Sequence, residues 1–96
     1  MTAFNAVRFR IKPGKDKEFL EAHKAGRAAW PGLETGAIIK TGDGIYCLIG
    51  EWADADAIVK ARTGMIATLD SFRHVLVPTA TAATDAVSGP VVLSLT

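Results

Sequence analysis

The chain is predicted to be an α+β protein of element order β-α-β-β-α-β, and three observations carry that expectation. Residues 4–12 alternate apolar and polar side chains and then break at Pro13-Gly14 into a charged run with helical spacing. Two apolar stretches flank Gly42-Asp43-Gly44, the composition of a hairpin connection. A second helical stripe, Ile58, Ala61, Met65, Leu69, Phe72 and Leu76, follows the later strand.

The first strand, residues 4–12, sends Asn5, Val7, Phe9 and Ile11 to one face. Phe4, Ala6, Arg8, Arg10 and Lys12 point to the other. The first helix is expected over residues 15–29, where Phe19, His23, Gly26 and Trp30 recur at helical intervals and form its inward stripe. Pro31 ends it, because proline disfavours helical geometry in the residue before it. Strands at 33–41 and 45–53 make the hairpin. Asp54 then caps the second helix by accepting from the free amides of its first turn. Gly64 lies near the middle of that helix, which leaves a bend or two shorter helices open. Pro78 breaks it. Residues 79–88 are read as a short helix or an ordered loop, Ser88-Gly89-Pro90 as a stop, and residues 91–95 as the closing strand. This order is the split βαβ, or ferredoxin-like, unit.

The 96 residues are read as one domain, residues 1–96. A chain of that size buries only about two-thirds of its unfolded surface. With 49% hydrophobic residues and Cys47 as the sole cysteine, no disulfide compensates, so a homodimer is expected. Cys47 itself, inside an apolar run, is read as a buried small hydrophobe. Eleven basic and ten acidic residues are interspersed, with a net charge of +1. That pattern lacks the basic stripe from which nucleic-acid binders draw their affinity. No apolar run reaches the roughly 20 residues of a membrane span, and no leader pattern is visible, so the cytoplasm is the expected compartment. Two histidines and one cysteine, far apart, give no metal-binding spacing, and no phosphate-cradling loop appears. Neither metal nor cofactor is expected.

In the order and spacing of its pieces the chain resembles the antibiotic biosynthesis monooxygenase-like superfamily of dimeric α/β barrels. The matching pieces are the strand Val7 to Ile11, the turn Lys12-Pro13-Gly14-Lys15, Phe19, the Trp30-Pro31-Gly32 ending, the hairpin and Glu51-Trp52. The resemblance implies sheets packed between two subunits, with a pocket in each between sheet and helices. It also implies an oxidoreductase: a cofactor-independent monooxygenase of a small aromatic or quinol-type substrate. The second reading is a non-catalytic dimer that binds a small hydrophobic molecule or serves a stress-related role. Leu48 stands where the polyketide oxygenases of the family carry an asparagine, and residues 54–72 contain no histidine to ligate haem.

Six residues are candidates for the site. His23 is a general base or a substrate-orienting group, or else a core-edge histidine bonded to a backbone carbonyl. Asn5 projects an amide from the helix-facing side of the first strand, toward a carbonyl or dioxygen or toward nearby backbone. Trp30 and Trp52 are aromatic walls or plain packing residues. Arg73 and His74 form a pocket-mouth pair for an anionic substrate, or cations placed against the helix dipole. His23, Asn5 and Trp30 should share one cavity near the start of the first strand, with Trp52, Arg73 and His74 at its rim.

Overall fold

The computed structural model describes residues 2–77 and 85–96. It contains β1 (Ala3–Arg10), α1 (Asp16–Gly26) with a 3-10 turn at Arg27–Ala29, β2 (Leu33–Gly42), β3 (Ile45–Trp52), α2 (Ala55–Phe72) with a 3-10 turn at Arg73–Val75, and β4 (Asp85–Pro90). The four strands form one antiparallel sheet in the order β2-β3-β1-β4, with both helices on the same face. This is the ferredoxin-like α+β arrangement expected from the sequence.

The β1 register puts Asn5 opposite Gly50, Val7 opposite Leu48 and Phe9 opposite Tyr46. Phe9, Phe19 and Phe72 meet edge-to-face between sheet and helices, with ring centroids 5.1, 5.3 and 5.6 Å apart. The hairpin closes at Gly44, whose φ of +68° and 2.9 Å approach of a would-be Cβ to the Ile11 carbonyl both demand glycine. Asp54 caps α2 through Ala57 N–H at 2.8 Å. Among the described residues, no helix is long and apolar enough to cross a membrane.

Four expectations are corrected. The closing strand is Asp85–Pro90, not 91–95. Its register brings Pro90 opposite Ala3, so residues 91–96 pass the end of β1 after one last bond from Val91 N–H to the Thr2 carbonyl. Gly89 and Pro90 are tolerated because β4 is an edge strand. The expected helix or loop over 79–88 is overturned at residues 85–88, which lie in β4, while 79–84 fall outside the described residues. Gly64 does not divide α2, which runs unbroken from Ala55 to Phe72. A Cβ there would overlap the Ala29 carbonyl oxygen, so glycine is what lets α2 lie directly on the 3-10 turn. Cys47 is half-exposed on the outer face of the sheet, because the core side of β3 is taken by Tyr46, Leu48, Gly50 and Trp52.

That outer face carries a continuous apolar row in cross-strand register, Ala37–Ile49–Ala6–Val87. Phe4 and Ile39 flank it, and Ile39, Ile49 and Val87 remain 45, 37 and 67% exposed.

Candidate functional site

A cavity of about 320 Å³ lies between the helix-facing side of β1 and β4 and the inner stripe of α2. Val7, Phe9, Leu48, Met65, Leu69 and Phe72 make its walls apolar, and Asn5, His23, Trp30 and Arg62 add functional groups. The inward stripe of α1 brings His23 to the cavity, and the period-two alternation of β1 brings Asn5.

The His23 imidazole sits among Phe9, Phe19, Trp30 and Phe72, with ring centroids 4.7–6.1 Å away. Nδ1 lies 3.0 Å from the Phe19 carbonyl oxygen. A carbonyl can only accept, so Nδ1 carries the hydrogen and Nε2 keeps its lone pair. Burial pushes the pKa of His23 below its ordinary value, against the smaller opposing effect of the Phe19 bond. The ring is therefore neutral at neutral pH and offers one acceptor. The backbone bond fixes the tautomer and also matches the core-edge role weighed for this residue.

Asn5 is held by a different device. Trp52 Nε1–H donates to Asn5 Oδ1 at 2.8 Å, and both side chains are buried. Gly50, directly across from Asn5, makes room: a Cβ there would lie 2.5 Å from Asn5 Oδ1 and 2.9 Å from Trp52 Nε1. Since Oδ1 is committed to the indole, the Asn5 amide hydrogens remain as donors on the cavity side. Trp30 also lines the cavity, and its Nε1–H donates at 3.2 Å to Thr68 Oγ1, which in turn donates to the Gly64 carbonyl.

The structure thus brings Asn5, His23 and Trp30 to one cavity. The expectation that they cluster at the start of β1 needs amending for His23, which packs beside Phe9 and Phe72, toward the far end. Trp52 is not at the rim. It is fully buried behind Asn5 and orients that residue rather than facing a ligand. Arg73 and His74 are not at the rim either. Both are exposed; Arg73 pairs with Asp70 at 2.8 Å and His74 with Glu18, because α2 has ended and the 3-10 turn carries them away from the cavity.

Sequence reasoning missed Arg62 and Thr68. The signal for Arg62 was present: it follows Ile58 by four residues and precedes Met65 by three, so it flanks the apolar stripe. A second groove of about 480 Å³, between α1 and β2, shares His23, Trp30 and Leu48 with the cavity, and these three side chains form the wall between them. Among the described residues no cluster of three potential metal ligands occurs.

No protein-family pattern matches the sequence, and no curated protein does. Solved structures do match. A mutant of SnoaB, a cofactor-independent oxygenase from Streptomyces nogalater, aligns with a TM-score of 0.76 at 18% identity over 98% of this chain and 96% of that one. A provisionally named antibiotic biosynthesis monooxygenase from Nitrosomonas europaea aligns at 0.76 and 13% identity, over 95% and 90%. A conserved protein from Methanosarcina mazei Go1 aligns at 0.78 and 13%, over 94% and 92%. At these identities the likeness is one of fold: the chain has the antibiotic biosynthesis monooxygenase-like fold, shared by oxygenases and by proteins of unknown function.

Proposed function

We propose that the chain is a cofactor-independent monooxygenase, a cytoplasmic homodimer that oxidises a small aromatic or quinol-type substrate in the central cavity. One observation carries this reading. A neutral imidazole with Nε2 free to accept and an amide with its hydrogens free to donate face the same apolar space. His23 Nε2 accepts the proton of a substrate hydroxyl, leaving an electron-rich oxyanion. The anion passes one electron to dioxygen, and the resulting radical pair closes a carbon–oxygen bond to give a hydroperoxide. The proton held on His23 completes that hydroperoxide, and loss of the hydrogen on the same ring carbon as a proton, with cleavage of the O–O bond, releases water and leaves the quinone. A phenol and dioxygen thus become a quinone and water, with substrate as the only reductant. Asn5 donates to the second substrate oxygen or to the reduced dioxygen. Because burial depresses the basicity of His23, substrates with more acidic hydroxyls are favoured.

The dimer is supported by the apolar row Ala37–Ile49–Ala6–Val87, which nothing else among the described residues covers. Sedimentation at micromolar concentration should give a dimer, and Ile49→Lys a monomer. The activity is tested by dioxygen uptake with a panel of hydroquinones. Turnover should fall by roughly 100-fold or more in His23→Ala. A second reading, a non-catalytic binder, is favoured by Leu48, which adds an apolar surface to the cavity floor. It predicts bound ligand with no dioxygen consumed.

A further inference from the structure

Among the described residues that line the central cavity, Arg62, an exposed residue, carries the one charged side chain, since His23 is neutral. No carboxylate lies within 4 Å of it among the described residues, and residues 78–84 contain no Asp or Glu. Of the two acids on α2, Asp70 is paired with Arg73, and Asp56, in the first turn, makes no ion pair with Arg62.

Its place along the cavity follows from the topology. Trp52, just before α2, lies opposite Ala3, and Leu76, just after it, bridges to Ile11, so α2 runs in the direction of β1. Arg62 precedes Phe72 by ten residues, roughly 15 Å of helix. His23 packs on Phe72, with ring centroids 4.7 Å apart. Asn5 precedes Phe9 by four residues, roughly 13 Å of strand. The cavity is therefore polarised. Donors, the Arg62 guanidinium and the Asn5 amide hydrogens, belong to one end. The acceptor, His23 Nε2, belongs to the other, and apolar walls separate them.

We infer that the cavity takes a hydroxylated aromatic carboxylate, with the carboxylate on Arg62, the ring against the apolar walls and the hydroxyl donating to His23 Nε2. The guanidinium fork matches a carboxylate in a two-bond geometry, and because Arg62 is exposed the preference comes from that geometry and from charge rather than from burial. A neutral ligand leaves the cation without a counter-charge, and an amine is repelled by it. The inference rests on the proposed role of His23 and names the substrate class of that site.

The test is binding without turnover. A hydroxynaphthoate with its two polar groups on opposite rings is titrated anaerobically into the purified protein, followed by calorimetry and by quenching of tryptophan fluorescence. Its neutral carboxamide is the matched control. The acid should bind about tenfold or more tighter than the amide, Arg62→Gln should abolish that preference while leaving amide affinity unchanged, and Arg62→Lys should keep part of it. Equal affinities in the parent protein, a preference that survives Arg62→Gln, or no binding of the acid at millimolar concentration would each overturn the inference. Failure of the oxygenase reading looks different. Acid bound through Arg62 with no dioxygen consumed removes the oxygenase and leaves this inference standing. Uptake with uncharged quinols that is indifferent to Arg62→Gln, together with equal binding of acid and amide, does the reverse.

Discussion

Replacing Gly50 by alanine adds a single methyl group at the point where β3 passes under the Asn5 amide. That methyl carbon would sit 2.5 Å from Asn5 Oδ1, 2.9 Å from Trp52 Nε1 and 3.3 Å from Leu33 Cδ1. Asn5 has the freer side chain, so it gives way, and the 2.8 Å bond from the indole is lost. Trp52 is fully buried, and its orphaned N–H then costs about 1–3 kcal/mol. Asn5→Ala deletes the same bond from the other side and should cost a similar amount. The two losses are one loss, so the double variant should fall short of the sum of the singles by about 1–2 kcal/mol. Urea unfolding followed by tryptophan fluorescence reads all four proteins, with the slope compared to exclude a change in the unfolded state. If the costs of the two single variants add to within about 0.5 kcal/mol, Gly50 does not act by making room for the amide, and the account of how Asn5 is held fails.

Three further outcomes are expected. Gly64→Ala should destabilise by about 2 kcal/mol or more in spite of the roughly 1 kcal/mol gain in helix propensity, since the clash is with the immovable Ala29 carbonyl; thermal unfolding measures it. Because the pKa of His23 is lowered in the fold, the unfolded chain binds more protons between the two pKa values. The contribution of this residue is full above the unfolded value, is lost as pH falls toward the folded one, and is flat below it. Urea midpoints between about pH 8 and pH 5 should therefore drop more for the parent protein than for His23→Leu. Arg73→Gln and His74→Gln should change stability by no more than about 0.5 kcal/mol and ligand affinity in the cavity by no more than about twofold, read by the same titrations, since both side chains are exposed and outside it.

What the sequence revealed was governed by local rules. β1, the Pro13-Gly14 turn and the inward stripe of α1 were legible because alternation and helical spacing survive folding unchanged, and the same rules bring Asn5, His23 and Trp30 to one cavity, though His23 lies toward the far end of β1 rather than its start. β4 was not legible: Ala86-Val87-Ser88-Gly89-Pro90 is a strand only because β1 offers it an edge. Gly64 looked like a helix breaker because the Ala29 carbonyl that requires it is distant in sequence. Trp52, read as an aromatic wall or a packing residue, was expected at the cavity rim because nothing local reveals that Gly50 lets Asn5 fold across to it. The tautomer of His23 depends on the Phe19 carbonyl four residues earlier, a bond that helical geometry permits but does not require.

The contact at Gly64 bears on how this site can change. There α2 rests backbone to backbone on the turn that ends α1, with no side chain between them to shorten or rotate. The opposite flank of the same helix is the ceiling of the cavity. A helix seated in that way cannot slide outward to admit a larger guest without breaking its seat. Selection for new ligands must then act through the side chains the helix hangs into the space, chiefly Met65, Ile66 and Leu69. Of these, Met65 is the most accommodating, with its unbranched, rotatable thioether. Diversifying those three positions is the economical route to altered ligand range, whereas libraries around Gly64 should yield mostly unfolded protein.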